Sequence, residues 1–230
     1  MIKLSEKTKA IIKGLIVFII FYSSVYLQYI PVKLFNIDLK TITASTSILL
    51  SVFSSVIVSI VLFIIYRKDL KNYFKDFNKN KENYLDTGIR CWLIGLLIMF
   101  ITNFILNIIL KAGGANNEKA VQTMIKTLPI IMIIDAGILA PFNEEIVFRK
   151  TLKDIFNNKW LFIISSFLLF GGAHVMSSAK NLYDYLYIIP YGALGAAFAY
   201  AYYKTNNLFT SITLHVMHNI ILILISIFLR

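Results

Sequence analysis

Long apolar runs alternate along the chain with short polar joints. A hydrocarbon core of ~30 Å takes about 20 residues of helix, and seven runs approach or exceed that length. They cover residues 11–30, 41–66, 88–110, 124–148, 160–176, 182–203 and 208–229. The first stops near Pro31, and the Lys-rich stretch 67–86 reads as a loop between the second and third. The joint "KAGGANNEK" reads as another loop, with Gly113-Gly114 as its breaker. The helical pattern of the fourth run carries on past Phe148 to Ile155 or Phe156. The pattern predicts an all-α fold: a polytopic transmembrane helical bundle of about seven spans, one membrane domain over 1–230. The N-terminal spans, within 1–120, are plain Ile, Leu, Phe and Val helices with Ser and Thr. Polar residues at membrane depth concentrate in 121–230.

Composition agrees: 58% of residues are hydrophobic and 15% charged, against roughly half and a quarter in soluble domains. The net charge of +11 could suggest nucleic acid as a partner. The basic residues instead cluster in the joints, where orienting charges of a membrane protein sit, so the bilayer is the expected partner and nucleic acid is not. "RKDLK" at 67–71 reads as a cytoplasmic joint beside anionic headgroups. With the N-terminus inside, sixteen of the 23 Lys and Arg fall on the inner side, including Lys3, the set between Arg67 and Lys81, Arg149 and Lys204. That bias predicts a cytoplasmic N-terminus and an outer C-terminus. The basic N-terminal stretch precedes an apolar run too long for a signal peptide, and is read as a retained span. Cys91 is the single cysteine, so no intrachain disulfide forms.

A charged side chain at the centre of a bilayer costs about 2.5–3.5 kcal/mol on insertion scales, so it persists where it is paired or faces a polar cavity. The fourth span ends "IIDAGILAPFNEEIVFRK", with Asp135, Glu144, Glu145 and Arg149. Glu145 and Arg149 are four apart and share a helix face. Glu144 lies about 100° away, with no basic residue at pairing distance along the helix. Both glutamates could equally form a solvated helix end. Pro141 removes a backbone donor and would free a carbonyl near the pair. The fifth span places His174 behind Gly171-Gly172 in "FGGAHVM", where a packing role is the bland alternative. The seventh contains "LHVMHN": His215 and Asn219 share a face and His218 flanks them. Two imidazoles and an amide inside a Leu/Ile helix point to chemistry. A carboxylate and an imidazole on one water make a general base, and a second His with an Asn could donate to an oxyanion. Zinc is the rival, with Glu144, His174, His215 and His218 as candidate ligands, although no H-E-x-x-H is present.

These segments resemble one family in order and spacing. "EEIVFR" (Glu144, Glu145, Arg149) is similar to an E-E-x-x-x-R motif, "FGGAH" (Phe170, His174) to F-x-x-x-H, and "HVMHN" (His215, Asn219) to H-x-x-x-N. The chain resembles the CPBP or Abi family of CAAX-type prenyl endopeptidases and bacteriocin-processing or bacteriocin-immunity proteins over about 141–222. The resemblance implies an intramembrane glutamic-type protease acting on a peptide or membrane-protein substrate. It implies that Glu144 and His174 activate water, that His215 and Asn219 stabilise the oxyanion, and that Glu145 and Arg149 support the first motif. It implies no obligatory cofactor, with zinc an open question. A non-catalytic immunity or regulatory protein is the alternative, and the oligomeric state is not indicated. Depth adds one expectation. His174 lies ~20 Å into its span, and Glu144 matches that depth only if its helix continues to about Asn157.

Overall fold

The computed structural model describes residues 5–111 and 114–228, so Lys3, Gly113 and the end of the seventh run at Leu229 lie outside the described residues. The described chain is helical and carries no strand. It is a polytopic helical bundle. Helix α1 (Glu6–Ser23) tightens into a 3₁₀ turn (Ser24–Gln28) and ends in α2 (Tyr29–Leu34). Helices α4 (Asn116–Thr127), α8 (Lys159–Val175), α9 (Ile188–Thr205) and α10 (Leu208–Phe228) are regular. By length and apolarity, Glu6–Leu34, Ala44–Leu110 and Leu208–Phe228 can cross a bilayer, and Lys159–Val175 is a shorter apolar helix.

The second and third runs are one helix, α3 (Ala44–Leu110), which corrects the expected loop at 67–86. Its start is fixed by Thr43, whose hydroxyl accepts from the Thr46 amide. From Ala44 to Thr87 there is no Gly or Pro, and the polar middle holds five lysines, which favour helix. A straight helix of 67 residues would reach about 100 Å. Yet Leu106 shares a buried cluster with Ala115 and Ile48 shares one with Ile125. The short α4, about 18 Å long, thus bridges the two ends, so α3 bends back through its charged middle.

The fourth span also differs from a plain helix. It starts at Pro129 rather than Met124, because Leu128 before the proline is held out of the helical region (φ −139°, ψ 71°). From there α5 (Pro129–Ile134), α6 (Ala140–Glu145) and α7 (Leu152–Ile155) are joined by π-helical turns at Asp135–Leu139 and Ile146–Thr151. The helix therefore runs on to Ile155, with Phe148 and Leu152 in the main core and Phe156 packed against it. Helices α8 and α9 pack closely because Gly171 carries no side chain. A Cβ there would sit 2.6 Å from the Ile188 carbonyl oxygen.

Candidate active site

The site is built on the twice-broken fourth span. In the first π turn the amide of Ala140 donates to the carbonyl of Asp135, five residues back. The next donor in that register would be residue 141, which is proline and has no N–H. The carbonyl of Ala136 is left over, and the Asn219 side-chain amide fills it at 2.7 Å. Asn219 thereby ties α10 to the fourth span one helical turn from His215.

Glu144 and Glu145 end α6, immediately before the second π turn. Glu145 is fully buried. One carboxylate oxygen lies 3.2 Å from Arg149 Nε, the expected i,i+4 pair, and the other lies 2.8 Å from His215 Nδ1. Against an ionised carboxylate, Nδ1 carries the proton, which turns Nε2 outward. That atom faces Glu144 Oε2 at 3.7 Å. One imidazole thus stands between two sequence-adjacent acids. Glu144 is the reachable one, with 16% of its side chain exposed. Arg149 is itself completely buried, and its guanidinium lies 4.3 Å over the ring of Phe170, which supplies a cation–π contact.

Phe170 joins the motifs physically. Its ring centroid is 4.4 Å from that of His174 and 5.5 Å from that of His215, besides the Arg149 contact. His174 Nδ1 lies 3.0 Å from the Phe170 carbonyl. A carbonyl only accepts, so Nδ1 donates and Nε2 keeps its lone pair. His174 also stacks on Tyr191, centroids 4.7 Å apart, and His215 stacks on Phe198 at 4.9 Å. Both imidazoles are therefore clamped in orientation. Among the described residues no ion pair joins Glu144 to His174, and it is His215 that lies nearest to Glu144.

His218 is turned away: its Nδ1 accepts from the indole of Trp92 at 3.4 Å. Among the described residues no three His, Cys, Asp or Glu side chains are grouped to hold a metal ion. The candidate zinc set Glu144, His174, His215 and His218 does not converge, because His218 belongs to the packing against α3.

Sequence reasoning gave Phe170 no role beyond its place in the motif, although its i,i+4 spacing to His174 was a usable signal. Phe198, Tyr191 and the Trp92 contact had none: they lie on other helices, in segments without motif character.

A profile of the family described as type II CAAX prenyl endopeptidase, Rce1-like, matches residues 126–221, which enclose all these side chains except Trp92. The UPF0177 protein YxdF of Lactococcus lactis subsp. lactis (strain IL1403) is 30% identical over 166 residues, 69% of this chain and 86% of its own. YdiL of Bacillus subtilis (strain 168), named as a candidate membrane peptidase, is 29% identical over 115 residues, 49% of this chain and 43% of its own. The UPF0177 protein YvdC of Lactococcus lactis subsp. lactis (strain IL1403) is 24% identical over 144 residues, 60% of this chain and 53% of its own. The chain thus spans about half the length of YdiL and YvdC. No solved structure matches.

Proposed function

The chain belongs to the family of Rce1-like CAAX prenyl endopeptidases, and we propose that it is an intramembrane endopeptidase cleaving a peptide bond of a membrane-associated protein or peptide. The observation that carries this reading is the Glu145–His215–Glu144 arrangement, one oriented imidazole between two acids in an apolar bundle. A purely structural pairing would need Glu145 and Arg149 only. The second, partly exposed carboxylate opposite Nε2 is surplus to packing.

In the proposed mechanism Glu144 takes a proton from a water molecule as the water oxygen attacks the peptide carbonyl carbon. His174, whose Nε2 is an acceptor, holds the same water. The oxyanion that forms is met by His215 Nε2 when protonated and by the second amide N–H of Asn219. Collapse breaks the C–N bond, and the proton held by Glu144 passes to the leaving amine. Glu145 and Arg149 act on His215 and not on substrate. The orientation that follows from the charge bias, N-terminus cytoplasmic and C-terminus outside, belongs to the same proposal.

The test is N-terminal mapping of membrane peptides from cells expressing the protein or its Glu144→Gln variant at matched membrane levels. New peptide N-termini that require Glu144 are expected, and His215→Ala is expected to abolish them too. Identical N-terminal profiles for the active form, the Glu144→Gln variant and empty cells would overturn the proposal in favour of a binding protein.

A further inference from the structure

Away from the site, α1 and the first arm of α3 run antiparallel: Ser54 Oγ donates to the Ser24 carbonyl at 2.6 Å, and further along Lys13 Nζ lies 3.6 Å over the Tyr66 ring. Between them are two adjoining cavities that share Lys13 and Ile65. One, of ≈ 320 Å³, is walled by Ile12, Ile16 and Ile65 beneath Lys9 and Lys13. The other, of ≈ 230 Å³, opens among Tyr66, Arg67, Lys68 and Asp69. On both helices the sequence changes from isoleucine to basic residues at this level, which is where hydrocarbon meets headgroups. Of the acidic groups nearby, Glu6 is paired with Lys9 at 2.7 Å and Asp69 with Lys150 at 3.1 Å. Among the described residues Lys13, Arg67 and Lys68 make no ion pair; Lys13 lies over the Tyr66 ring and feels Asp69, Asp154 and Lys150 only at longer range, and Asp154 is itself paired with Lys150 at 2.6 Å. The result is an apolar limb joined to a cationic limb, the shape and charge of one amphiphile with a negative head.

We infer that this cleft between α1 and α3 holds an anionic phospholipid, its acyl chain along Ile12, Ile16 and Ile65 and its phosphate met by Lys13, Arg67 and Lys68. The lipid would fasten α1 to α3 at the surface where Thr151 and Ile155 of the motif span also pack beside Gly14.

The test is native mass spectrometry of the full chain, delipidated in neutral detergent and titrated with phosphatidylglycerol or phosphatidylcholine. The wild type is expected to retain one phosphatidylglycerol in preference to phosphatidylcholine. Lys13→Gln with Arg67→Gln is expected to weaken that retention about 30-fold, two basic contacts at a membrane surface being removed. Ile12→Trp, which keeps every charge but fills the apolar limb, is expected to abolish the preference as well. Thermal unfolding in phosphatidylcholine micelles reports whether each variant is folded. If the charge variant does not fold, Ile12→Trp decides alone. Equal retention of both lipids by the wild type, or unchanged phosphatidylglycerol retention in any folded variant, would overturn the inference.

Discussion

Replacing Asn219 by Leu removes the amide that fills the Ala136 carbonyl while keeping the branched outline of the side chain. The 2.7 Å bond spans two helices, and such bonds within bilayers average about 0.6 kcal/mol. Orphaning a buried carbonyl costs about 1–3 kcal/mol. Because Pro141 rules out a backbone substitute, the upper range applies. At about 2–4 °C per kcal/mol for a chain of this size, the unfolding temperature in detergent, followed by intrinsic fluorescence, should fall by roughly 2–12 °C. The structure also names the rescue. Pro141→Ala supplies an N–H five residues beyond Ala136, in the register that Ala140 and Asp135 already use. The Asn219→Leu/Pro141→Ala double variant should therefore regain about 1 kcal/mol or more relative to additivity. Peptide cleavage separates the two roles given to Asn219. Stability regained without cleavage supports its second N–H as an oxyanion donor, and recovery of both refutes that donor. An unchanged unfolding temperature in Asn219→Leu, or no rescue by Pro141→Ala, would refute the reasoning about the π turn.

Three further outcomes are expected. Arg149→Met strands a fully buried carboxylate and should cost about 3–5 kcal/mol, whereas Glu145→Gln/Arg149→Met should recover part of it, as read by unfolding in detergent. Gly171→Ala drives a methyl against the Ile188 carbonyl and should cost about 1–3 kcal/mol or prevent accumulation in membranes, detected by yield and melting. At the polar middle of α3, hydrogen bonds from Asn207 and Tyr84 hold the Asp76 carboxyl below its ordinary value. Their contribution is complete above the unfolded carboxyl value of about 4 and is lost as pH falls from there through the lower folded one. Melting temperature between pH 6 and pH 3 should therefore drop less steeply in Asp76→Asn than in the wild type.

Much of the site was legible because it obeys local rules. Glu145 and Arg149 pair as their spacing dictates, and the apolar face from Phe148 to Phe156 carried the motif helix to its true end. Pro141 announced a freed carbonyl, but neither the residue left over nor its partner, Asn219, could be read from one helix. The link from His215 to Glu145 was hidden for the same reason, since it joins residues 70 positions apart. His218 was counted with the site because spacing gives proximity along a helix, not the direction of its neighbours, and Trp92 took it. The misread element was the charged stretch 67–86. Its polarity resembled a loop, while the absence of Gly and Pro was the better guide.

That uninterrupted backbone couples two halves of the protein by rotation. A loop absorbs an extra residue silently, but one residue inserted between Lys79 and Glu82 would turn everything downstream by about 100°. Gly95, whose missing side chain lets Ala197 approach, would then point elsewhere, and Trp92 would release His218. Seven inserted residues, almost two whole turns, would bring both nearly back into azimuth, so tolerance to insertion here should follow a periodic rule and not a length limit.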